Sequence, residues 1–300
     1  ADPLKEFGAK FELRNKNNLP LKVIGSEYLK PINYFEKRGS AQCKSSVILA
    51  ALNTPGKTTI YAKKSRNHTE LFLKYLKLPI KIIEKKKYDK IEISGQHQFK
   101  SFNYEIPGDV SSSAFFIVLT LLSKNSKLKI KNININPSRM GVFYVLKLMG
   151  VNIAKFNVRN YKGEKVADLL IKSTNKIKPI NCPTKFNSSA IDEFLLIFLI
   201  AAKAKGVSYF KNLSELNQKE SPRLKWGSKI LNKMGIKNDV TENSIKIFGN
   251  PDLKINKKII IKNFLKDHRV FMTSVIAALS FGGEWKIYNK DSIKTSFPNF

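Results

Sequence analysis

The sequence predicts an α/β or α+β fold with two domains, and three observations support this prediction. Along the chain, segments in which apolar and polar residues alternate are followed by segments whose apolar residues recur at helical spacing. A short pattern of amphipathic helix, turn and strand recurs four times. The 300 residues are enough for two domains that each bury a core of their own.

The four copies of the recurring pattern lie at residues 3–13, 71–82, 144–153 and 229–238. In each copy, apolar residues at helical spacing end near a turn, and an alternating segment follows. Gly8, Gly150 and Gly235 stand where a helix C-cap needs a left-handed residue, and Leu78-Pro79 replaces the glycine in the second copy. The copies are too far apart for a solenoid, so they indicate repeated βαβ-type units inside larger domains.

The remaining elements follow from the same periodicities. Longer helices are predicted at residues 40–52, 112–122, 191–204 and 269–279. Strands are predicted at residues 22–29, 58–63, 90–95, 128–135, 167–173, 244–249, 257–263 and 285–290. Pro107-Gly108 is a turn, which places residues 1–107 in a first domain and residues 108–300 in a second.

The formal net charge of +31 is the strongest signal in the composition. One interpretation is a protein that binds nucleic acid through its basic side chains. The other is biased amino-acid usage, because Lys, Asn and Ile are spread along the whole chain and are not gathered in one tail or helix. We favour biased usage, and we expect part of the charge to attract anionic ligands.

The sequence shows no sign of a secreted or membrane protein. The longest apolar run, Phe194 to Ala202, is far shorter than the roughly 20 residues of a membrane span and predicts a buried helix. The first residues, ADPLKEFGAK, do not form a signal peptide. Two cysteines make neither a disulfide framework nor a zinc site, which favours a reducing compartment.

Polar residues at the starts of apolar helices are candidates for anion binding. Ser40 and Gln42 begin one such helix, and Ser65 and Arg66 precede another, where exposed N–H groups favour negative charge. Each segment also has a purely structural interpretation, in which Ser40 or Thr69-Glu70 caps its helix. The segment GDVSSSAFF at residues 108–116 is a third junction, and capping is its simplest role.

Three further helix starts carry charged side chains. Asp192 precedes the most apolar helix, where it is either an N-cap or a partly desolvated base. Lys219, Glu220 and Arg223 lie close together, and on a helix the first and last of them share one face. Residues 267–269, Asp-His-Arg, precede the last apolar helix. A single cluster of this kind is usually a solvated surface, but here the pattern recurs at five or six helix starts.

Eight motifs occur here in the order in which they occur in 5-enolpyruvylshikimate-3-phosphate (EPSP) synthases, and the chain resembles that family. The family patterns are SAQxKS, SRxHTE, PGDxSSAAFF, NPxRxGxxxVLxxMG, IDE, ELxxKESxRL, DHRxxM and SFPxF. They match residues 40–45, 65–70, 107–116, 136–150, 191–193, 215–224, 267–272 and 296–300, so the resemblance runs from Pro3 to Phe300. It implies the enolpyruvyl transferase fold, an inside-out α/β barrel in which each of two domains holds three βαβαββ units.

The resemblance also implies an activity. Such an enzyme transfers the enolpyruvyl group of phosphoenolpyruvate to the 5-hydroxyl of shikimate 3-phosphate and releases phosphate by addition and elimination, in chorismate and aromatic amino-acid biosynthesis. It implies a monomer in the bacterial cytoplasm that needs no metal or cofactor and binds neither nucleic acid nor a membrane.

Carried over by motif, the resemblance assigns roles to individual residues. Contacts to shikimate 3-phosphate are implied for Ser40, Gln42, Ser65, Arg66, Asp192 and Lys219. Asp192 would take the proton of the attacking hydroxyl with help from Lys219, and Glu220 would protonate and deprotonate the methylene carbon. Arg223 and Arg269 would bind the phosphoenolpyruvate carboxylate, with Gln42 nearby. We expect all these side chains to converge on one cleft between the domains.

The sequence departs from the family pattern in several places. The N-terminal Lys-Ser segment, the Asn-Gly-Thr loop, an Arg that contacts both substrates and the C-terminal helix of family members are not found. We therefore expect the chain to be a fragment that lacks turnover by itself. Pro222 replaces the usual Asp, which removes a supporting carboxylate, and Lys294 lies one position away from a lysine that some members use.

Three alternatives stay open at this point. One is the related enolpyruvyl transferase that acts on UDP-N-acetylglucosamine, although SRxHTE and KESxRL favour the shikimate enzyme. The second is a basic nucleic-acid-binding protein, including an RNA-end-modifying relative of the same fold, which would show clustered lysines and aromatic side chains. The third is a non-catalytic relative, suggested by Pro222 and the absent segments.

Overall fold

The computed structural model describes residues 1–15 and 18–300, which form two compact units. The first unit comprises Ala1–Glu105 and Asn160–Glu164, and the second comprises Ile106–Arg159 and Lys165–Phe300. The short segment 160–164 therefore belongs to the first unit, although the sequence analysis assigned it to the second domain. Compact units defined by contacts within one chain do not by themselves establish domains. The domain boundary predicted between residues 107 and 108 therefore stays a prediction.

The first unit contains a two-stranded and a four-stranded sheet with three helices. In chain order its elements are α1 (Asp2–Glu6), β1 (Lys10–Arg14), β2 (Asn18–Ile24), β3 (Asn33–Glu36), α2 (Ala41–Leu52), β4 (Lys57–Lys63), α3 (His68–Tyr75), β5 (Ile80–Glu84) and β6 (Tyr88–Ser94). Strands β1 and β2 pair antiparallel. The four-stranded sheet has the order β3-β4-β6-β5, in which only β3 and β4 run parallel.

The elements that follow are, in chain order, α4 (Val110–Leu122), β7 (Lys127–Asn134), α5 (Gly141–Leu148), β8 (Ala154–Tyr161), β9 (Glu164–Lys172), α6 (Phe194–Ala202), β10 (Gly206–Phe210), α7 (Arg223–Met234), β11 (Asn238–Val240), β12 (Ile245–Gly249), β13 (Lys258–Ile261), α8 (His268–Phe281) and β14 (Glu284–Ile287). Short 3₁₀ helices lie at Pro137–Arg139, Thr184–Phe186, Ser214–Gln218 and Lys290–Ile293.

One connectivity is repeated along the chain. In the first unit it reads β3-α2-β4-α3-β5-β6, a βαβαββ repeat. The second unit contains the same order twice, once from Gly108 through α4 to β9 and once from Asn181 through α6 to β12. In both cases the first strand is reduced to a single parallel bridge. The sheet orders β7-β9-β8 and β10-β12-β11 match β4-β6-β5, which confirms the predicted repeated units.

Several local predictions are confirmed and others are wrong. Gly8, Gly150 and Gly235 have φ values of 118°, 84° and 88°, so they are left-handed as predicted. In the second copy the left-handed residue is Lys77 (φ 58°), so the prediction that Leu78-Pro79 takes this place is wrong. Helix α3 ends at Tyr75, and the chain turns before it reaches Leu78. Strand β2 ends at Ile24, where the prediction extended it to residue 29.

Each unit buries a core on the inner face of its sheets. In the first unit alternate residues of β4 and β6, such as Ile60 and Ile91, lie against Val47 and Ile48 of α2. In the second unit every residue of α6 is buried. Among the described residues no helix combines the length and the apolar character needed to cross a membrane.

Candidate active site

Charged side chains meet at the starts of helices α6, α7 and α8 in the second unit, with Arg223 at their centre. Arg223 is the first residue of α7, and its side chain is only 2% exposed. Its Nε donates to Asp267 Oδ2 at 2.9 Å, and its Nη1 donates to Asp192 Oδ1 at 3.3 Å. Its Nη2 donates to Glu220 Oε2 at 2.5 Å and to Asp267 Oδ1 at 3.3 Å. One buried guanidinium therefore holds three carboxylates.

Asp267 is the fully buried partner in this cluster and also the N-cap of α8. It accepts hydrogen bonds from the backbone N–H of Arg269 at 2.9 Å and from Ser221 Oγ at 2.8 Å. Burial opposes its ionisation, but the hydrogen bonds and charge of Arg223 outweigh burial and lower the pKa of Asp267. Asp267 is thus an ionised anchor that fixes Arg223 relative to α8.

Arg269 approaches Asp192 from the other side. Its Nη1 donates to the backbone carbonyl of Asp192 at 3.0 Å, and its Nη2 lies 3.7 Å from the Asp192 carboxylate. The Asp192 side chain is 13% exposed and lies between the guanidinium groups of Arg223 and Arg269. Next to Arg269, burial and the neighbouring positive charge lower the pKa of His268, so this imidazole is neutral at pH 7.

A second network in the same unit links Glu193 to helix α4. Asp109 caps α4 by accepting from the Ser112 N–H at 2.8 Å. Arg139 Nη2 donates to Asp109 Oδ1 at 2.6 Å and to Ser111 Oγ at 2.5 Å, and the Ser111 hydroxyl donates to Glu193. Burial raises the pKa of Glu193, although Arg269 partly offsets this effect. Through Glu193, the residue after Asp192, this network links the start of α6 to the start of α4.

The cluster contains four of the six residues that the sequence analysis assigned to catalysis or to phosphoenolpyruvate: Asp192, Glu220, Arg223 and Arg269. Lys219 instead donates to Glu215 Oε1 at 3.2 Å. The predicted helix face shared by Lys219 and Arg223 is wrong, because the 3₁₀ helix ends at Gln218 and α7 begins only after Pro222.

Asp192 does not cap α6. The N-cap position belongs to Glu193, which makes no side-chain capping hydrogen bond, and the helix begins at Phe194. The prediction had started this helix at residue 191, but residues 191–193 form turns. Of the two interpretations of Asp192, its position between two arginines and its small exposure favour the partly desolvated carboxylate.

In the first unit, the starts of α2 and α3 carry the residues predicted to bind shikimate 3-phosphate. Ser40 caps α2 by accepting from the Cys43 N–H at 3.2 Å, as its structural interpretation predicted. Gln42 is exposed in the first turn. Ser65 Oγ is buried and has no hydrogen-bond partner among residues 1–15 and 18–300. Arg66 follows it in the segment that leads into α3.

The predicted capping of α3 by Thr69-Glu70 is wrong. The N-cap is Asn67, without a side-chain capping bond, and Glu70 forms a buried ion pair with Lys44 at 2.5 Å. Lys44 Nζ also donates to the Arg66 carbonyl at 2.8 Å. Thr69 Oγ1 instead shares a hydrogen bond of 2.7 Å with Ser45 on α2. The two helix starts are therefore tied together, and their N–H groups favour an anion.

Sequence reasoning did not assign a role to Asp267, Glu193, Ser111, Arg139 or Lys44. A weak signal was present for Lys44, because it is a charged residue that faces the same way as Val47 and Ile48 in an otherwise apolar helix. The partners of the others come from distant segments that only packing brings together. In the part of the chain that the structure describes, no three His, Cys, Asp or Glu side chains are grouped to hold a metal ion.

Comparisons with known proteins show which proteins the chain is similar to. The family profile described as EPSP synthase (3-phosphoshikimate 1-carboxyvinyltransferase) matches residues 1–300. The 3-phosphoshikimate 1-carboxyvinyltransferase of Caldicellulosiruptor bescii is 39% identical over 300 residues, which cover 99% of this chain and 68% of the relative. That of Ruthia magnifica is 39% identical, with 100% of this chain and 67% of the relative covered.

Solved structures give the same result. EPSP synthase from Acinetobacter baumannii superimposes with a TM-score of 0.86 at 32% identity, covering 99% of this chain and 67% of that one. The enolpyruvyl transferase NikO from Streptomyces tendae, with a TM-score of 0.72 at 15% identity, shares the fold. The predicted enolpyruvyl transferase fold is confirmed, and the chain belongs to the EPSP synthase family.

Proposed function

We propose that the two groups of helix starts carry out the reaction of the EPSP synthase family. In this reaction the enolpyruvyl group of phosphoenolpyruvate passes to the 5-hydroxyl of shikimate 3-phosphate, and phosphate is released. The observation that carries the proposal is the cluster in which two arginines hold Asp192 and one of them also holds Glu220. It combines two guanidinium groups for an anionic substrate with two carboxylates for proton transfer.

In the addition step, Asp192 takes the proton of the 5-hydroxyl as the hydroxyl oxygen bonds to C2 of phosphoenolpyruvate. Glu220 gives a proton to C3, which becomes a methyl group, and a tetrahedral intermediate results. In the elimination step, the bond from C2 to the phosphate oxygen breaks, and Glu220 takes a proton back from the methyl group. The proton held by Asp192 leaves with the phosphate, so both carboxylates return to their starting state.

The two arginines are proposed to bind the carboxylate of phosphoenolpyruvate. Arg269 is 15% exposed, and within the described chain its side chain donates one hydrogen bond, to the Asp192 carbonyl, which leaves further guanidinium N–H groups for a substrate. Arg223 is more buried, and a substrate carboxylate would replace one of its three present partners. Glu220 is the partner most open to solvent, with a side chain 53% exposed, so its contact is the one most easily exchanged.

Shikimate 3-phosphate is proposed to bind at the starts of α2 and α3. The proposed contacts are Ser40, Gln42, Ser65, Arg66, Asp192 and Lys219. The unpartnered hydroxyl of Ser65 beside the start of α2 supports a phosphate at this place, because a phosphate oxygen would accept its hydrogen bond. Gln42, on the exposed side of α2, is proposed to contact phosphoenolpyruvate as well.

Other features are proposed from the family alone. These are a monomer in the bacterial cytoplasm, a reaction without metal or cofactor, and no nucleic-acid or membrane partner. The domain boundary between residues 107 and 108 is proposed from the Pro107-Gly108 turn. The convergence of all the site residues on one cleft also stays a prediction.

The test separates the two carboxylates in a form of the enzyme extended to the full length of its relatives. Asp192→Ala and Glu220→Ala should each lower kcat by about 10²–10⁴-fold, because each removes a general acid–base group. Only Glu220→Ala should abolish exchange of solvent deuterium into the methylene group of phosphoenolpyruvate. Arg269→Ala should mainly raise the KM for phosphoenolpyruvate.

Glu242→Ala is the matched control, since this carboxylate is 82% exposed and pairs only with surface Lys225. It should leave kcat, KM and deuterium exchange unchanged. Loss of exchange in Asp192→Ala with normal exchange in Glu220→Ala would reverse the two assignments. Full turnover in both variants would remove the carboxylates from the mechanism.

A further inference from the structure

Lys44 is a buried cation on the apolar side of α2. It is 1% exposed, its partner Glu70 on α3 is 3% exposed, and the two are 2.5 Å apart. Removing two charges from water costs about as much free energy as their attraction returns, so a buried ion pair by itself is a weak source of stability. A well-packed apolar pair would hold α2 and α3 together equally well.

The ion pair has a second contact that an apolar pair would not make. Lys44 Nζ donates to the backbone carbonyl of Arg66 at 2.8 Å. This carbonyl lies in the segment 64–67, which connects β4 to α3 without regular secondary structure. A charge-assisted hydrogen bond to a backbone group is stronger than a neutral one and fixes the direction of the peptide. The direction of the Arg66 peptide in turn sets the orientation of Ser65 and Arg66.

Two buried polar atoms nearby have no hydrogen-bond partner within the described chain. They are Ser65 Oγ, in the anchored segment, and Glu70 Oε2, in the ion pair. Leaving a buried hydroxyl without a partner costs free energy, and native proteins keep such groups mainly where a ligand or water completes them. The anchored segment therefore holds a buried hydroxyl whose hydrogen bond no described residue accepts.

We propose that Lys44 and Glu70 are positioning residues that hold Ser65 and Arg66 in the orientation that binds the phosphate of shikimate 3-phosphate. This inference rests on the proposed function and adds the device that sets up its phosphate site. Lys44 acts through the segment and does not touch the substrate, because its side chain is buried and donates to Glu70 and Arg66. Glu70 keeps the ammonium group pointed at the carbonyl.

The test removes both charges together and measures stability and binding separately. Lys44→Met alone leaves Glu70 buried without a partner, so its effects on folding and on binding are mixed. In Lys44→Met/Glu70→Leu no charge is left unpaired, and we expect a melting temperature close to that of the unchanged chain. We nevertheless expect the Kd for shikimate 3-phosphate, measured by calorimetry on the chain extended to the full length of its relatives, to rise about 10- to 100-fold.

Hydrogen exchange reports on the segment directly. In the double variant the amides of residues 64–67 should exchange faster, whether or not ligand is present. Ser45→Ala is the matched control, because it removes the other hydrogen bond between α2 and α3, to Thr69, without touching the Arg66 carbonyl. It should leave both the Kd and the exchange of residues 64–67 unchanged.

The outcomes are distinct. Unchanged affinity and unchanged exchange in a folded double variant would reduce the ion pair to a structural contact and overturn the inference. Absence of shikimate 3-phosphate binding in the extended chain without substitutions would overturn the proposed phosphate site itself, and the inference with it. Should the double variant not fold, Lys44→Glu/Glu70→Lys keeps the pair but moves the ammonium group to α3. The same loss of affinity is then expected, and unchanged affinity counts against the proposal.

Discussion

Arg223 holds three carboxylates of the second unit, those of Asp192, Glu220 and Asp267. Replacement by Met would leave Asp267 fully buried and without its guanidinium partner. We expect Arg223→Met to lower the free energy of unfolding by about 3–5 kcal/mol, measured by urea unfolding. Lys225→Met, two positions along α7, removes a surface pair with Glu242 and should cost at most about 1 kcal/mol. Equal costs for both variants would mean that the buried cluster contributes no more than a surface pair.

Glu193 should leave a signature in the pH dependence of stability. Burial raises its pKa in the folded chain, so the folded state favours the protonated carboxyl. Its contribution to stability is full below the ordinary pKa of a glutamate and is lost as the pH rises through the raised value. Asp267 acts in the opposite direction, because its lowered pKa contributes stability that is lost as the pH falls.

Glu193→Gln should therefore make the chain more stable at neutral pH and flatten the decline in stability above the pKa of free glutamate. The amide keeps an oxygen that accepts from Ser111, so the hydrogen bond survives. Free energies of unfolding measured from about pH 4 to pH 8 check this. Glu284→Gln, at a 70% exposed surface pair with Lys258, should leave the slope unchanged. A slope that persists in Glu193→Gln would contradict the assignment.

At the residue scale, the sequence was informative where a residue and its role lie in one short motif. Arg223 is the first residue of α7 and Arg269 the second residue of α8, close to the helix starts that their motifs indicated. Lys44 and Glu70 were not recognised as a pair, because they lie 26 positions apart and meet only when α2 packs beside α3. The error over Lys219 has a local cause, since Pro222 delays the start of α7.

At the scale of elements, two repeats share a close contact between a glycine and a helix end. Gly95 follows β6, and a Cβ there would lie 1.9 Å from the Thr54 carbonyl oxygen at the end of α2. Gly249 ends β12, and a Cβ there would lie 2.1 Å from the Ala204 carbonyl oxygen just after α6. Backbone oxygens cannot move aside as a flexible side chain can, so only glycine allows this packing.

Gly95→Ala and Gly249→Ala should each lower the free energy of unfolding by about 3 kcal/mol, because the added methyl group forces strands away from helix ends. Urea unfolding followed by circular dichroism measures the effect. Gly25→Ala is the control, since nothing lies within 4 Å of a Cβ at that position, and it should change stability by less than about 0.5 kcal/mol. Tolerance of both alanines would show that the helix ends can shift.

The long helices were predicted best among the elements. Helices α2, α4 and α8 were predicted within two residues or so at each end, because a long apolar period is a strong signal. Strands β3 and β10 were missed, since four or five residues such as NYFE show too little alternation to stand out. Strand β8 was missed as well, although it has eight residues. The place of β3 and β10 in the sheets is set by pairing with β4 and β12, which no local pattern contains.

At the scale of the whole molecule, the charge of +31 should act on its substrates through salt-dependent attraction. We expect the affinity for shikimate 3-phosphate to fall several-fold between about 0.05 and 0.5 M KCl, because salt screens the attraction of a multiply charged anion. Shikimate, which lacks the phosphate, is the control and should show a much shallower dependence. Equal slopes for the two ligands would show that the basic surface plays no part in binding.

Composition alone did not decide what this charge means, since biased usage and nucleic-acid binding predict the same count of lysines. The ordered motifs favour the enzyme family over a nucleic-acid-binding protein, and the family match agrees with them. The extent of the first unit was harder to predict from the sequence. Residues 160–164 join it through contacts such as the Glu105 N–H with the Tyr161 hydroxyl at 3.0 Å, between segments far apart in the sequence.

The division into two compact units also distributes the chromophores unequally. Both tryptophans, Trp226 in α7 and Trp285 in β14, belong to the second unit, whereas the first has only tyrosine and phenylalanine. Trp226 is 7% exposed and lies edge-on to Phe264, so its emission should shift to longer wavelength when this unit opens. Fluorescence excited through tryptophan alone therefore reports on the second unit. A destabilising substitution in the first unit, such as Gly95→Ala, should change tyrosine emission and circular dichroism before it changes the wavelength of tryptophan emission.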